Sequence, residues 1–144
     1  MRNSIYIVLT ALVVIIGCST TKKVIDAPKN AKAIHGDTIR IANDELEYEV
    51  IIIDPGFTSW LVSRSFPRGY HTQTFLENKN RMYITEWNSR VLQPNRYNPN
   101  LYEMSINYQY GTDYGYEVNY LIYNYMVYFQ NVNNQRLFGN VPSR

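Results

Sequence analysis

The sequence predicts an α+β domain, a small sheet of about three strands with three helices packed on one face. Three observations carry that expectation. Glu47-Tyr48-Glu49-Val50-Ile51-Ile52-Ile53 alternates at first and is wholly apolar at its end, as a partly buried strand does. Val118, Leu121, Ile122, Tyr125, Met126 and Phe129 recur at the spacing of one helical face. Between them, about Thr72 to Leu92 combines an apolar stripe with charge pairs at helical spacing.

The elements follow in order. Thr38 to Ile41 alternates, and Asn43-Asp44 is turn chemistry, so this piece forms a hairpin with the Glu47–Ile53 strand. Asp54-Pro55 then opens a helix. Aspartate caps the free N–H groups, and proline at the first helical position gives up only an N–H that had no partner. Phe57, Trp60 and Leu61 share one face of it, and Phe66-Pro67-Arg68-Gly69-Tyr70 stops it. In the Thr72–Leu92 helix, Thr74 and Glu77 have capping-box spacing. Glu77 with Arg81 and Glu86 with Arg90 are i,i+4 pairs. Ile84, Trp87 and Val91 mark its buried stripe, with Phe75 or Leu76 at the start. After a turn-rich stretch holding Pro94 and Asn98-Pro99, Tyr102, Met104, Ile106 and Tyr108 alternate with polar residues and read as the third strand. Gly111 to Gly115 is a loop. Tyr116 to Asn133 is the last helix, with Glu117, Asn124 and Asn131 on the side away from its apolar stripe.

The amino terminus is not part of this fold. Arg2, an apolar run from Ile5 to Ile16, Gly17 and Cys18 read as an export signal, too short for a comfortable membrane span. The stretch Ile15-Ile16-Gly17-Cys18-Ser19 resembles a bacterial lipoprotein box, in which the cysteine thiol is acylated and becomes the first residue of the mature protein. An uncleaved anchor with a chance cysteine is the competing reading. The expected organisation is a signal peptide over 1–17, a lipidated N-terminus and tether over 18–36, and one domain over 37–144. Ser19 and the pair Lys22-Lys23 imply, by resemblance to sorted lipoproteins, the outer membrane and its periplasmic face.

The formal charge is +2 and falls by one when Arg2 leaves with the signal. No basic stripe marks a nucleic-acid binder. Cys18 is the only cysteine, so the exported domain must hold together by packing without disulfides. No cofactor motif, no metal-ligand constellation and no recognisable catalytic set is present in the sequence.

Several phrases together resemble a family of small lipoproteins of unknown function from Bacteroidetes-type bacteria. They are Tyr48 to Leu61, Pro67-Arg68-Gly69-Tyr70, Glu86-Trp87-Asn88 with Arg90, Tyr97-Asn98-Pro99, and Asp113 to Tyr120. The resemblance implies lipoprotein status and a single domain, and it brings no activity, ligand or catalytic residue.

Asp54 is the sharpest chemical candidate, because it sits where an apolar strand meets a helix, a common place for a ligand crevice. Helix capping is the favoured structural reading of the same residue, because Asp-Pro fits the cap so well. His71 is a candidate base, weighed against a plain hydrogen-bonded histidine. Ten of the 14 tyrosines lie between Tyr97 and Tyr128. A core absorbs Tyr120 and Tyr125, whereas Tyr110, Tyr114, Tyr116, Tyr123 and Tyr128 point to an aromatic interaction surface or to a tyrosine-rich core.

Three functions follow. The first is a non-enzymatic envelope protein, anchored to the membrane by lipid, that docks on a partner through its Tyr- and Asn-rich C-terminal third. The second is a module for cell-wall glycan or another small ligand. It would use Tyr and Trp rings with Arg68 or Asn88 as polar contacts, and the candidate ligand or partner contacts overall are Asp54, Arg68, Tyr70, Trp87, Asn88, Tyr114 and Tyr116. The third is an enzyme using Asp54, His71 or Glu86, for which carboxylate and imidazole must converge in one pocket.

Overall fold

In a computed structural model the described residues are 32–35, 38–43 and 48–144. The expected signal peptide, Cys18 and most of the expected tether lie outside them.

The chain is α+β. Strands β1 (Lys32–His35), β2 (Thr38–Asn43) and β3 (Tyr48–Ile53) run antiparallel in the order β1-β2-β3. Three helices follow: α1 (Pro55–Arg64), α2 (Gln73–Val91) and α3 (Tyr116–Val132). Strand β1 falls within the stretch that composition assigns to the tether.

Ile39 pairs with Ile52, and both side chains are buried on one face of the sheet, with Val50 and Tyr48 half-buried beside them. Period-two geometry sends Arg40, Glu49, Ile51 and Ile53 to the other face, where they are exposed. Arg40 and Glu49 form an ion pair there.

Helix α1 starts as its sequence requires. Asp54 Oδ1 accepts from the Gly56 N–H at 2.9 Å and also from the Tyr128 hydroxyl at 2.8 Å. Gly56 is needed at this point because a Cβ there would collide with the Tyr128 hydroxyl. Phe57 and Leu61 face the core.

Helix α2 is capped two residues earlier than the capping-box spacing suggests. Thr72, not Thr74, accepts from the Phe75 N–H at 3.2 Å. Glu77 is thereby free for other partners and bonds Gln73. The Glu86–Arg90 pair forms at 2.8 Å.

Helix α3 is the centre of the molecule, with twelve of its 17 residues buried. α1 and α2 pack against it, and the C-terminal tail lies over it. Leu137 is buried, its N–H donates to Gln130 Oε1 at 2.8 Å, and Asn131 Nδ2 donates to the Pro142 carbonyl at 2.9 Å. Asn124, expected on a solvent side, is therefore buried. Its amide donates to the Tyr120 carbonyl one turn back, as Asn119, Gln130 and Asn131 do to theirs. This back-bonding lets an encircled helix carry amides without stranding their donors. The helix closes with Asn134 in the left-handed region (φ 51°) and the Gln135 N–H on the Gln130 carbonyl.

The third strand expected at Tyr102–Tyr108 does not form. Side chains supply the partners that a strand neighbour would have supplied. Asn88 donates to the Ile106 carbonyl at 2.9 Å and accepts from the Ile106 N–H at 2.8 Å. Trp87 Nε1 donates to the Met104 carbonyl, and the Tyr48 hydroxyl to that of Asn107. Tyr102, Ile106 and Tyr108 still turn inward, which preserves most of the alternation, but Met104 is exposed.

Candidate functional site

The residues singled out by sequence do not assemble into one site. Asp54 caps α1 and holds Tyr128. Arg68 Nε bonds both Glu117 carboxylate oxygens at 2.7 and 2.9 Å, and its guanidinium lies 4.6 Å over the Tyr120 ring. The hydrogen bond to Glu117 holds the Arg68 proton more tightly than usual. Tyr116 accepts from the Gly69 N–H at 2.7 Å, so it fastens the same loop to the start of α3. Tyr70 is exposed and stacks on Phe66, with ring centres 3.9 Å apart. Trp87 and Asn88 pin the 104–106 backbone. Tyr114 is buried, accepts from the Gln109 N–H at 2.7 Å, and packs against the rings of Tyr48 and Tyr108.

The three candidate catalytic groups have separate partners. His71 stacks on Phe75 at 4.2 Å, with the edges of Tyr70 and Tyr123 around it. Its buried Nε2 has no partner among the described residues. Burial, and then the charge of Arg144, pull the His71 pKa down. Glu86 is taken by Arg90. Asp54 belongs to α1 and Tyr128. No hydrogen bond or ion pair joins any two of the three among the described residues.

The tyrosines resolve in favour of a tyrosine-rich core. Tyr114, Tyr123 and Tyr128 are buried and Tyr116 is partly so. Of the five residues that pointed to a surface, Tyr110 alone is largely exposed, at 83%. The reason is the burial of α3, which brings nearly every face of that helix into the interior. Among the described residues the C-terminal tyrosines do not form one flat exposed surface.

Among the described residues three concavities stand out. The smallest, of about 300 Å³, lies between the end of α1 and Pro67-Arg68, beside Tyr120. The other two are larger. The first is an apolar groove of about 490 Å³ along β3, between Val50–Ile52 and Met104–Asn107, floored by Trp87, Ile122 and Met126. The second, of about 420 Å³, is polar and lies between the first half of α2 and the loop Tyr108–Asp113.

The polar cleft is built from a helical stripe and a loop. Gln73, Glu77 and Arg81 stand at i, i+4 and i+8 on α2 and so point to one side. Gln73 Nε2 bridges Glu77 Oε1 at 2.7 Å and Asp113 Oδ1 at 2.6 Å, which ties the two walls together. Asp113 Oδ1 also accepts from the Gly115 N–H at 2.9 Å, fixing the carboxylate at the start of α3. Beneath the cleft, Asn119 Oδ1 accepts from the Tyr108 hydroxyl at 2.6 Å and from Asn80 Nδ2 at 3.2 Å. Burial, and then the charge of Glu77, push the Tyr108 pKa up to about 12. At the mouth the Arg81 guanidinium lies 4.9 Å over the Tyr110 ring and bonds Asn78 Oδ1 at 3.2 Å.

Each carboxylate of this cleft thus uses one oxygen for structure, and the second has no hydrogen bond among the described residues. No group of three or more His, Cys, Asp or Glu placed to hold a metal occurs among those residues. Sequence reading missed Gln73, Asn78, Arg81, Gln109 and Asp113 as site residues, while Tyr110 was among the tyrosines it flagged. The available signal was the Gln73-Glu77-Arg81 spacing, a polar row along the edge of the apolar stripe of α2.

No curated protein and no solved structure shows significant similarity to the chain. Residues 6–140 match the model of a family of unknown function, DUF6146, and the chain belongs to that family.

Proposed function

We propose that this is a lipid-anchored envelope protein that works by binding, with the cleft between α2 and the 108–113 loop as its site. In this reading a signal peptide ends at Gly17, Cys18 is acylated, and the tether holds the α+β domain at the periplasmic face of the outer membrane. The N-terminal sequence supports the anchor. Attachment is firm because each buried methylene adds about 0.8 kcal/mol and more than one acyl chain is present.

The observation that carries the binding reading is the pairing of unspent polar atoms with an exposed ring in one concavity. Glu77 and Asp113 each keep a carboxylate oxygen without a hydrogen bond among the described residues, and Tyr110 stands open beside them. Binding is favoured over catalysis because Asp54, His71 and Glu86 are each held by a different structural partner.

Two measurements test this. Radioactive palmitate should label the wild type and leave Cys18→Ala unlabelled; equal labelling removes the anchor. A photo-crosslinking residue at position 81 should capture an envelope component in intact cells, while the same residue at Arg64, exposed on α1, should not. Equal or absent capture at both positions removes the cleft as the binding site.

A further inference from the structure

We propose that the α2/108–113 cleft takes a neutral saccharide, an inference that rests on the binding reading above and names its ligand class. Four features of the cleft converge on that chemistry.

The first is the balance of donors and acceptors. The second oxygens of Glu77 and Asp113 accept, while Arg81, Asn78 and Gln109 carry side-chain N–H groups that donate. A ligand that only donates or only accepts would leave half of them unpaired. A hydroxyl does both, and adjacent hydroxyls on a sugar ring serve neighbouring side chains together.

The second is charge. Two carboxylates face one guanidinium in the lining, and that guanidinium already lies over Tyr110 and bonds Asn78. Phosphate or carboxylate ligands would meet a net negative wall. A neutral polyol meets no such repulsion, and its O–H groups donate readily to carboxylate oxygens.

The third is Tyr110. An exposed aromatic ring at the mouth of a polar cleft offers an apolar face with a polar tip. The C–H face of a pyranose fits that ring while its hydroxyls turn toward Glu77 and Asp113. The fourth is size, since about 420 Å³ falls in the range of small-ligand pockets. For a protein held in the envelope, the neutral amino-sugar backbone of the wall is the ligand at hand.

The test is a calorimetric titration of the full-length protein, kept in a detergent without a sugar headgroup, with tetra-N-acetylchitotetraose and with trigalacturonate. The neutral sugar should bind and the anionic one should not. Tyr110→Ala and Glu77→Gln should each weaken binding about tenfold. Tyr70→Ala, which removes an exposed ring elsewhere, should leave it unchanged. Thermal melts of each variant identify any that has failed to fold, and Arg81→Ala then replaces it. The proposal is overturned if the neutral sugar does not bind in the millimolar range, if the anion binds as well, or if the cleft variants bind as the wild type does. Capture from position 81 with no sugar binding would remove the saccharide and leave the binding site standing.

Discussion

The two halves of α2 each carry Glu, Asn and Arg and put them to opposite use. In the second half Trp87, Asn88 and Arg90 are all consumed by the fold. Trp87 and Asn88 hold the 104–106 backbone. Arg90 bonds Glu86, the Tyr102 hydroxyl and the Arg136 carbonyl, with its guanidinium over Tyr97. In the first half Gln73 ties the cleft walls, and Glu77, Asn78 and Arg81 open into the cleft. Trp, Asn and Arg look like recognition residues anywhere in a sequence. Whether they recognise a ligand depends on whether the protein has already filled their hydrogen-bonding capacity.

The largest expected effect comes from charging the buried phenols: Tyr108 beneath the cleft half of α2, Tyr48 on the Asn107 carbonyl, and Tyr128 on Asp54 at the start of α1. Tyr48, Tyr108 and Tyr128 all have their pKa raised from 10 to about 12, chiefly by burial. The folded state holds these protons more tightly than the unfolded chain. The stabilisation is complete below pH 10 and is lost as pH rises through about 12. Denaturant melts should therefore weaken steeply between pH 10 and 12, and a flat profile would contradict the burial of these hydroxyls.

Within the second half, Arg90→Ala should destabilise the protein by about 3 kcal/mol, because it strands Glu86 and several buried acceptors. Equilibrium unfolding measures this. Asn88→Ala should remove about 2 kcal/mol by stripping both backbone bonds from Ile106, and amide exchange should speed up at Ile106. Outside α2, Asp54→Ala should lose about 1 kcal/mol or somewhat more, since the cap and the Tyr128 partner go together. In the first half, Arg81→Ala should stay within about 0.5 kcal/mol of wild type. A loss there as large as that of Asn88→Ala would erase the difference between the halves.

The helices were legible in the sequence because their signals are local. Asp54-Pro55 is a cap and first turn in two adjacent residues, and the Val118-to-Phe129 spacing admits only a helix. The sheet was legible where alternation met turn chemistry, between Thr38 and Ile53. The Tyr102–Tyr108 segment misled because period-two burial reports which way side chains turn. It does not report what bonds the backbone, and here that partner is Asn88, eighteen residues before Ile106. The tyrosines misled for a related reason. Helical spacing locates one buried face, while the α3 surroundings bury the others too. The cleft was hidden because its loop wall comes some thirty residues after its helical wall, and Glu77 and Arg81 read as an ordinary helix pair. In the structure Glu77 bonds Gln73 and Arg81 covers Tyr110.

The most direct measurement is an NMR titration of the isotopically labelled protein with tetra-N-acetylchitotetraose. Amide and side-chain shifts should change at Gln73, Glu77 and Arg81 and along Tyr108–Asp113, with Trp87, Asn88 and the β3 groove unmoved. Shifts centred on Val50–Ile52 and Met104–Asn107 instead, or none in either region, would contradict the division of labour along α2.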